Sequence, residues 1–435
     1  MAFREFDSVQ VSRRSLFRST AYLAAGGAIA TLPFGAELLA RVETSAWPNL
    51  ASTIDSYVSA GKVANMVAVI GSGQDSPQKI AQGGQGFGRS SAPAGLDTLY
   101  RIYSMTKPIT GMAAMICIED GLMSLDQPVA DFLPGFANMR VLKQADGPLD
   151  QTVPAERPIT IRNLLTHTAG LGYDIITKGP LLKAYQASGI VGGQVSRIPI
   201  PGFTNAKPAP GLKVWADRLA KLPLIAQPGA KWSYSVGLDL MGRVIEVATG
   251  QTLDAFLQQR IFEPCGMDSS WFQVPESEAH RLSDNYGILN GVPLPIDVAS
   301  SSVYLDKPPI IWGGSGLVCS PRDYDRFLEM VLGYGKINGR RVMSETAVRV
   351  GTSNILPEGA DLSGSFVAGQ GFGAGARVAD GTYGWGGAAG TLGMADFGNG
   401  IRAGLFTQFM PAEAYPVTRD FRAALIKDLQ VRAHG

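Results

Sequence analysis

Strand-like segments stand at both ends of the sequence, and helical patterns fill most of the chain between them. The first group is the apolar run 66–70 followed by the glycine-bounded run 79–87, which is typical of a hairpin. The second group comprises residues 384–387, 391–397 and 402–409, separated by glycine-rich turns. The two groups predict an α+β fold in which both ends of the chain share one antiparallel sheet and the middle forms a separate helical lobe.

Apolar residues at helical spacing predict several helices. They are expected at residues 46–60, 158–171, 238–248, 253–261 and 417–431, in addition to one that begins near Ser104. Between residues 172 and 228 the pattern breaks down, and prolines and glycines are dense. So long an irregular insertion in a compact protein is typical of a lid or a binding loop.

Length and composition indicate one large folded unit of two lobes. The chain has 435 residues, of which 45% are hydrophobic and 17% charged. We expect the domain to cover residues 47–435, with a sheet lobe at about 47–120 and 300–435 and a helical lobe at about 121–299. Lysine and arginine number 38 against 37 aspartate and glutamate, a balance that argues against a nucleic-acid partner.

The first 46 residues have the pattern of an export signal. Arg13 and Arg14 lie in the segment SRRSLFR, which precedes a weakly apolar, alanine- and glycine-rich run at 21–34. Paired arginines before such a run are typical of a bacterial twin-arginine signal, which predicts an exported, periplasmic or extracytoplasmic protein. The run is too short and too weakly hydrophobic for a stable membrane span. Cleavage near Ala40 or after Ala46 is compatible with the sequence, and an ordinary amino-terminal helix is the alternative interpretation.

A serine and a lysine lie three residues apart where an extended run gives way to a helical one. At that spacing the side chains of Ser104 and Lys107 share one face of a helix, so the hydroxyl and the amine can meet. Ser104 would lie in the first turn, where free N–H groups and the helix dipole favour developing negative charge. Apolar residues downstream predict a buried, rigid helix. A serine in this place is also a common N-cap, and the pattern alone does not separate the two roles.

Metal and cofactor chemistry find little support in the sequence. Cys117, Cys265 and Cys319 each have apolar neighbours, which favours buried free thiols over disulfides, and no Cys-x-x-Cys pair occurs. The three histidines are far apart along the chain. We therefore expect no metal site and no cofactor.

Five motifs in order resemble the serine β-lactamase and penicillin-binding-protein superfamily, and most closely its class C-like esterase branch, the family VIII carboxylesterases. The resemblance covers nearly all of residues 51–429. The motifs are Ser-Met-Thr-Lys at 104–107, Leu-Thr-His-Thr-Ala-Gly-Leu at 165–171, Tyr-Ser-Val at 234–236, Gly-Gly-Ser-Gly-Leu at 313–317 and Trp-Gly-Gly-Ala at 385–388.

The resemblance implies a β-lactamase-like fold, with the active site between a sheet flanked by helices and an all-helical lobe. It also implies that Ser104 is the nucleophile of a covalent acyl-enzyme, and that Lys107 and Tyr234 act on its proton. Either of the two could take that proton first. The oxyanion hole would be formed by the backbone N–H of Ser104 and that of Ala388 on an edge strand.

Two departures from the β-lactamase pattern concern substrate binding. Val236 stands where β-lactamases usually carry an asparagine, and Trp385, Gly386 and Gly387 stand where they usually carry Lys-Thr-Gly. The resemblance therefore implies a more apolar pocket, suited to an ester of an uncharged alcohol. Tyr103, beside the nucleophile, is a further candidate for the pocket lining.

Several other polar or aromatic residues are candidates for a role at the site or in its support. Trp312, near the glycine cluster, could also line the pocket. His167 is expected to be a hydrogen-bonded structural residue, because no Gly-x-Ser-x-Gly elbow for a Ser-His pair exists in the sequence. Asp239 and Glu246 are expected to be helix-surface or structural charges, and Ser315 a turn residue.

The sequence thus favours a serine hydrolase that cleaves a small-molecule carboxylic ester. A β-lactamase or D-alanyl-peptidase-like amide hydrolase and an acyltransferase of the same fold are the alternatives, since the acyl group can pass to an alcohol as well as to water. A non-enzymatic envelope-binding protein is less compatible with the complete set of Ser104, Lys107 and Tyr234.

Overall fold

A computed structural model describes residues 46–88, 91–200 and 206–434. The export-signal prediction for residues 1–46 falls, except for Ala46, outside the described residues. The strands are β1 Asn65–Ser72, β2 Gln78–Gly83, β3 Tyr100–Arg101, β4 Arg140–Leu142, β5 Thr152–Pro154, β6 Ser270–Trp271, β7 Asn285–Leu289, β8 Val292–Asp297, β9 Val318–Cys319, β10 Lys336–Ile337, β11 Arg340–Arg341, β12 Gly371–Phe372, β13 Arg377–Ala379, β14 Thr382–Gly386, β15 Leu392–Asp396, β16 Ile401–Phe406 and β17 Phe409–Met410.

The helices lie mainly between the two groups of long strands. The α-helices are α1 Pro48–Val58, α2 Thr106–Glu119, α3 Ile161–Leu165, α4 Gly179–Ser188, α5 Leu212–Leu219, α6 Gly237–Thr249, α7 Leu253–Leu257, α8 Glu263–Cys265, α9 Pro321–Leu332, α10 Glu345–Gly351 and α11 Val417–His434. A π-helical turn, Gln258–Phe262, joins α7 to α8.

The central sheet has seven antiparallel strands in the order β12-β13-β14-β15-β16-β1-β2. In this order the amino-terminal hairpin β1–β2 lies beside β16, and Val67 faces Phe406 across the pair. The α+β, β-lactamase-like fold class is confirmed, and so is the expectation that both ends of the chain share one antiparallel sheet.

Apolar layers cover both faces of this sheet. On one face, α1 and α11 pack against each other and bury residues such as Leu50, Ile54 and Phe421. On the other face, α2 and α9 lie between the sheet and the rest of the helices. Every residue of α2 from Thr106 to Cys117 is buried, because the helix is enclosed by α6, α10 and the sheet. Enclosure on all sides makes α2 a rigid support for what precedes it.

The structure differs from the expectations in three places. The irregular insertion at 172–228 contains two short helices, α4 and α5. The helix expected at 158–171 spans only Ile161–Leu165, because it ends at Thr166 ahead of a sharp turn at His167. Strands β7 and β8, inside the expected helical lobe, form a three-stranded sheet with β17 near the carboxyl end.

The described residues include no helix long and apolar enough to cross a membrane. Within the same residues, no group of three or more His, Cys, Asp or Glu side chains is arranged to hold a metal ion. All three cysteines are free and buried, and burial raises the pKa of each thiol.

Candidate active site

Ser104 stands in a single 3₁₀ turn, Tyr103–Met105, that connects β3 to α2. It therefore lies two residues before the first residue of α2, Thr106, instead of inside the α-helix. The N–H of Ile102 donates to the carbonyl of Leu317 at 3.0 Å, which ties the turn to the segment after Trp312. Tyr103 has a φ of 41°, a left-handed value that is rare for a residue with a side chain. Ser104 is half-buried while its neighbours on both sides are buried. The turn thus presents the serine hydroxyl from an otherwise closed surface.

Three functional groups meet at the Ser104 hydroxyl. Lys107 Nζ donates to Ser104 Oγ at 3.2 Å, as the three-residue spacing predicts. The Tyr234 hydroxyl donates to the same oxygen at 2.7 Å, from a segment that enters α6. Lys107 Nζ also lies 4.6 Å from the centroid of the Tyr234 ring. A hydroxyl with two such partners can lose its proton as it attacks an electrophile.

A buried carboxylate lies behind Lys107. Lys107 Nζ donates to the Gly314 carbonyl at 2.8 Å, and the Gly314 N–H donates to Asp239 Oδ1 at 2.8 Å. Asp239 is completely buried, and burial raises the pKa of its carboxyl to about 7 despite the opposing influence of the Lys107 charge. Its Oδ2 has no hydrogen-bond partner among the described residues. Of the two expected roles for Asp239, a helix-surface or a structural charge, the structure supports the structural one, because the first turn of α6 faces the glycine cluster. Glu246, by contrast, pairs with Arg243 at 2.8 Å.

An aromatic cluster encloses the Tyr234 ring. Ring centroids lie 4.8 Å away for His167, 5.3 Å for Tyr173, 5.7 Å for both Trp385 and Phe366, and 6.2 Å for Trp232. The Trp385 indole Nε1–H donates to the Tyr234 hydroxyl at 3.3 Å. The indole that stands in place of the expected lysine therefore contacts the hydroxyl that bonds Ser104.

His167 supports this cluster and makes no hydrogen bond to Ser104 among those of the described residues. It is completely buried with a φ of 56°, and its Nδ1 accepts from the backbone N–H of Ser235 at 3.2 Å. The same nitrogen lies 2.9 Å from the Ser235 hydroxyl oxygen. Burial lowers the pKa of His167 well below its usual value, and the Lys107 charge acts in the same direction. A neutral ring packed on Tyr234 fits a structural role.

The Trp-Gly-Gly-Ala motif brings a backbone turn against Ile102, two residues before Ser104. A Cβ at Gly387 would lie 2.3 Å from the Ile102 carbonyl oxygen, so only glycine permits this approach. Ala388 follows in the turn after β14, and neither its N–H nor that of Ser104 has an acceptor within the described chain. The edge-strand expectation is wrong, because β13 and β12 lie outside β14 in the sheet. Two free amides beside a nucleophile are suited to bind an oxyanion.

Three of the expected pocket residues are instead buried in the packing. The Tyr103 hydroxyl accepts from Asn285 Nδ2 at 3.2 Å, within a buried apolar cluster. Trp312 donates its Nε1–H to the Val191 carbonyl at 2.9 Å. Val236 is completely buried and caps the start of α6. The structure therefore brings Ser104, Lys107, Tyr234 and Trp385 together, and Gly387, next to Ala388, lies against the backbone at Ile102.

The insertion runs along one side of this site. Val191 is held by Trp312, the Gly192 carbonyl accepts from the Ser315 hydroxyl, and the Gln194 carbonyl accepts from Tyr304 at 3.1 Å. The next residues continue into the apolar cluster that contains Tyr103 and Ala389. Partly buried members of that cluster are Val195, Ile200 and Ala388. The insertion is thus held to the segment after Trp312 and to the apolar cluster of Tyr103, with Ser315 hydrogen-bonded to it.

Sequence reasoning missed three residues of the site. Tyr173 lies under Lys107, with Nζ 5.3 Å from its ring, and it directly follows the histidine motif, which is the signal that could have identified it. Asp239 is expected from the sequence only as a helix-surface or structural charge, with no link to Lys107 through Gly314. Phe366 sits in a glycine- and serine-rich loop with no periodic pattern, so no sequence signal points to it.

Comparison with known proteins agrees with this fold and site. The family profile described as Beta-lactamase matches residues 50–427. The chain therefore belongs to the Beta-lactamase family, a family of serine hydrolases whose members include esterases and acyltransferases.

Individual relatives match between about half and nine-tenths of the chain. Protein Rv1367c of Mycobacterium tuberculosis is 34% identical over 325 residues, covering 71% of this chain and 76% of its own length. Esterase EstB of Burkholderia gladioli is 32% identical over 248 residues, covering 54% of this chain and 57% of its own. Among solved structures, EstCE1, described as a hydrolase with promiscuous acyltransferase activity, superimposes with a TM-score of 0.70 at 23% identity, covering 88% of this chain and 99% of that one.

Proposed function

We propose that the protein cleaves carboxylic esters through a covalent acyl-enzyme on Ser104. The observation that carries the proposal is the double hydrogen bond to Ser104 Oγ, from Lys107 Nζ at 3.2 Å and from the Tyr234 hydroxyl at 2.7 Å. The names of relatives support it, since Esterase EstB and the Lovastatin esterase of Penicillium rubens, 37% identical over 197 residues and covering 44% of each chain, are esterases by description.

In the proposed acylation step, Ser104 Oγ attacks the ester carbonyl carbon while the Tyr234–Lys107 pair takes its proton. The tetrahedral intermediate places its negative oxygen between the N–H groups of Ser104 and Ala388. Removing one donor of this kind typically costs about 3–4 kcal/mol of transition-state stabilisation. Collapse of the intermediate breaks the bond to the alcohol oxygen, and the same pair returns the proton to the departing alcohol.

Deacylation repeats these steps with a new nucleophile. Water gives the free acid, and a second alcohol gives a new ester. Transfer to an alcohol is the second candidate function, favoured by the apolar rings around Tyr234 and by relatives that are named as methylbutanoyltransferases, such as that of Aspergillus terreus, 31% identical over 244 residues.

The apolar surroundings also bear on amide substrates. A β-lactam or a D-alanyl peptide carries a carboxylate that needs a cation or a polar amide nearby. In this site the corresponding positions hold the Trp385 indole, which contacts Tyr234, and the buried side chain of Val236. We therefore propose that uncharged esters are turned over faster than β-lactams.

A substrate panel tests the proposal. We expect the purified protein to hydrolyse nitrophenyl acetate and butyrate with a far higher kcat/KM than a chromogenic cephalosporin or a D-Ala-D-Ala peptide. We expect Ser104→Ala to abolish ester hydrolysis without a change in melting temperature, and mass spectrometry to find the acyl adduct on Ser104 in the wild type only. A folded Ser104→Ala variant that keeps most of its activity would refute the nucleophile assignment, and a preference for the cephalosporin would refute the esterase proposal.

A further inference from the structure

Phe366 is the most exposed large apolar side chain in contact with the site. The exposed fraction of its side chain is 64%, yet its ring centroid lies 5.7 Å from Tyr234, 5.8 Å from Trp385 and 5.0 Å from Trp232. One side of the ring therefore contacts the Tyr234 cluster through edge-type and tilted contacts, while most of the residue is open to solvent. An apolar surface left open beside a reactive group is favourably covered by an apolar part of a ligand.

The loop that carries Phe366 is fixed to the segment that leads to Tyr234. The N–H of Asp361 donates to the Ala230 carbonyl at 2.8 Å, and the N–H of Trp232 donates to the Asp361 carbonyl at 2.9 Å. Val367, next to Phe366, is buried in the main core and anchors the loop from the other side. The position of the Phe366 ring is thus set together with that of Tyr234.

The side of the site on which Phe366 lies follows from the roles of its neighbours. In the proposed mechanism, the N–H groups of Ser104 and Ala388 take the carbonyl oxygen. A group that returns a proton to the leaving alcohol must be next to that alcohol, which places the alcohol at Tyr234. Phe366 packs on Tyr234, so it borders the path of the alcohol and not that of the acyl chain.

We propose that Phe366 forms the subsite for the alcohol part of the substrate, and that this subsite selects aromatic or bulky apolar alcohols. The inference rests on the proposed ester cleavage and adds the class of alcohol to it. Since deacylation by an alcohol reverses acylation, the same ring binds the acceptor when the acyl group passes to an alcohol instead of water.

Esters with one acyl group and different alcohols test this assignment. Benzyl butyrate and methyl butyrate form the same acyl-enzyme, so the ratio of their kcat/KM values reports on the alcohol subsite alone. We expect Phe366→Ala to lower this ratio about tenfold, the usual scale for loss of an apolar contact, and Phe366→Leu to lower it less. We expect the ratio for methyl hexanoate against methyl butyrate to stay unchanged. Phe87→Ala is the matched control, because Phe87 is also exposed, at 42%, and packs edge-on against Tyr286 instead.

Phe366→Ala could lower activity either by displacing Tyr234 or by removing the alcohol subsite. The ratio of kcat/KM for benzyl butyrate to that for methyl butyrate distinguishes the two effects. Mispositioning lowers turnover of both butyrates equally and leaves the ratio at its wild-type value, which would overturn the proposal. A changed hexanoate-to-butyrate ratio would overturn it in favour of an acyl-chain subsite. A competing acceptor gives an independent measure: benzyl alcohol added to the butyryl-enzyme should yield benzyl butyrate in the wild type and about tenfold less of it, relative to butyrate, in Phe366→Ala. If the wild type cleaves none of these esters, the proposed function itself fails.

Discussion

The hydrogen bond from Trp385 to Tyr234 gives a sharp test of how the site is activated. Trp385→Phe keeps an aromatic ring on Tyr234 and removes only the Nε1–H that donates to its hydroxyl at 3.3 Å. As the Tyr234 oxygen gains negative charge during proton transfer, this donor stabilises it more strongly than in the resting state. Hydrogen bonds to charged groups contribute about 1.5–3 kcal/mol, and the long distance places this one near the lower limit. Because about 1.4 kcal/mol corresponds to a factor of ten, kcat/KM for nitrophenyl butyrate should fall about tenfold.

The structure supplies a matched control for the smaller ring. Trp232 stacks on the same Tyr234 ring with an interplanar angle of 15°, but its buried Nε1 has no hydrogen-bond partner among the described residues. Trp232→Phe therefore removes a similar volume from the same cluster without removing a hydrogen bond. The difference in kcat/KM between the two variants isolates the bond, and thermal melts confirm that both are folded. Equal losses in the two variants would refute the reasoning, because the effect would then come from ring size.

Three further predictions concern charge and export. Burial raises the Asp239 pKa from 3.8 to about 7, so between these pH values the folded state holds a proton that the unfolded state has lost, and wild-type stability falls as pH rises. The melting temperature of Asp239→Asn, which cannot titrate there, should therefore increase relative to that of the wild type from pH 5 to pH 8. A difference in melting temperature that does not depend on pH would contradict this. Trp385→Lys should lower the rate of ester turnover and raise the rate of acylation by a cephalosporin. Stopped-flow measurement of the acylation rate tests this, and an unchanged rate with the cephalosporin would contradict the prediction. We propose that residues 1–46 direct twin-arginine export. Replacing Arg13 and Arg14 by lysine should then retain folded protein in the cytoplasm, as measured by cell fractionation. Unchanged export of the double variant would disprove the assignment.

Features that depend on neighbours in sequence could be predicted well. The meeting of Ser104 and Lys107 follows from a spacing of three residues at the start of a helix, and the strands β1 and β16 follow from their apolar runs. The Ser104–Tyr234 contact could be anticipated only through the order of motifs, because no local rule joins residues so far apart. The helices α4 and α5 went unpredicted, although Pro180 in the first turn of α4 and Gly189 at its left-handed end are standard boundary signals.

Features that depend on tertiary packing could not be read from the sequence. Whether Asp239 faces water or Lys107 is decided by the glycine cluster packed against α6, which lies far along the chain. The strands β12 and β13 have two and three residues, which is too short for a recognisable strand pattern. The sequence therefore predicts β14 as the edge strand of the sheet. Val236 and Trp312 were expected at the pocket from their motifs, but a motif gives a position in the chain and not the direction of the side chain.

The strand order of the central sheet determines which parts of the chain must be present before the sheet can form. The interior pair β1–β16 joins residues such as Val67 and Phe406, which lie far apart in the chain. Without β16, the hairpin β1–β2 has an unpaired edge and no complete apolar layer beneath it. Pairing over so long a loop is slow, because loop closure costs entropy before the contacts form. A fragment that ends before β16 is therefore expected to aggregate and not to form a smaller folded unit.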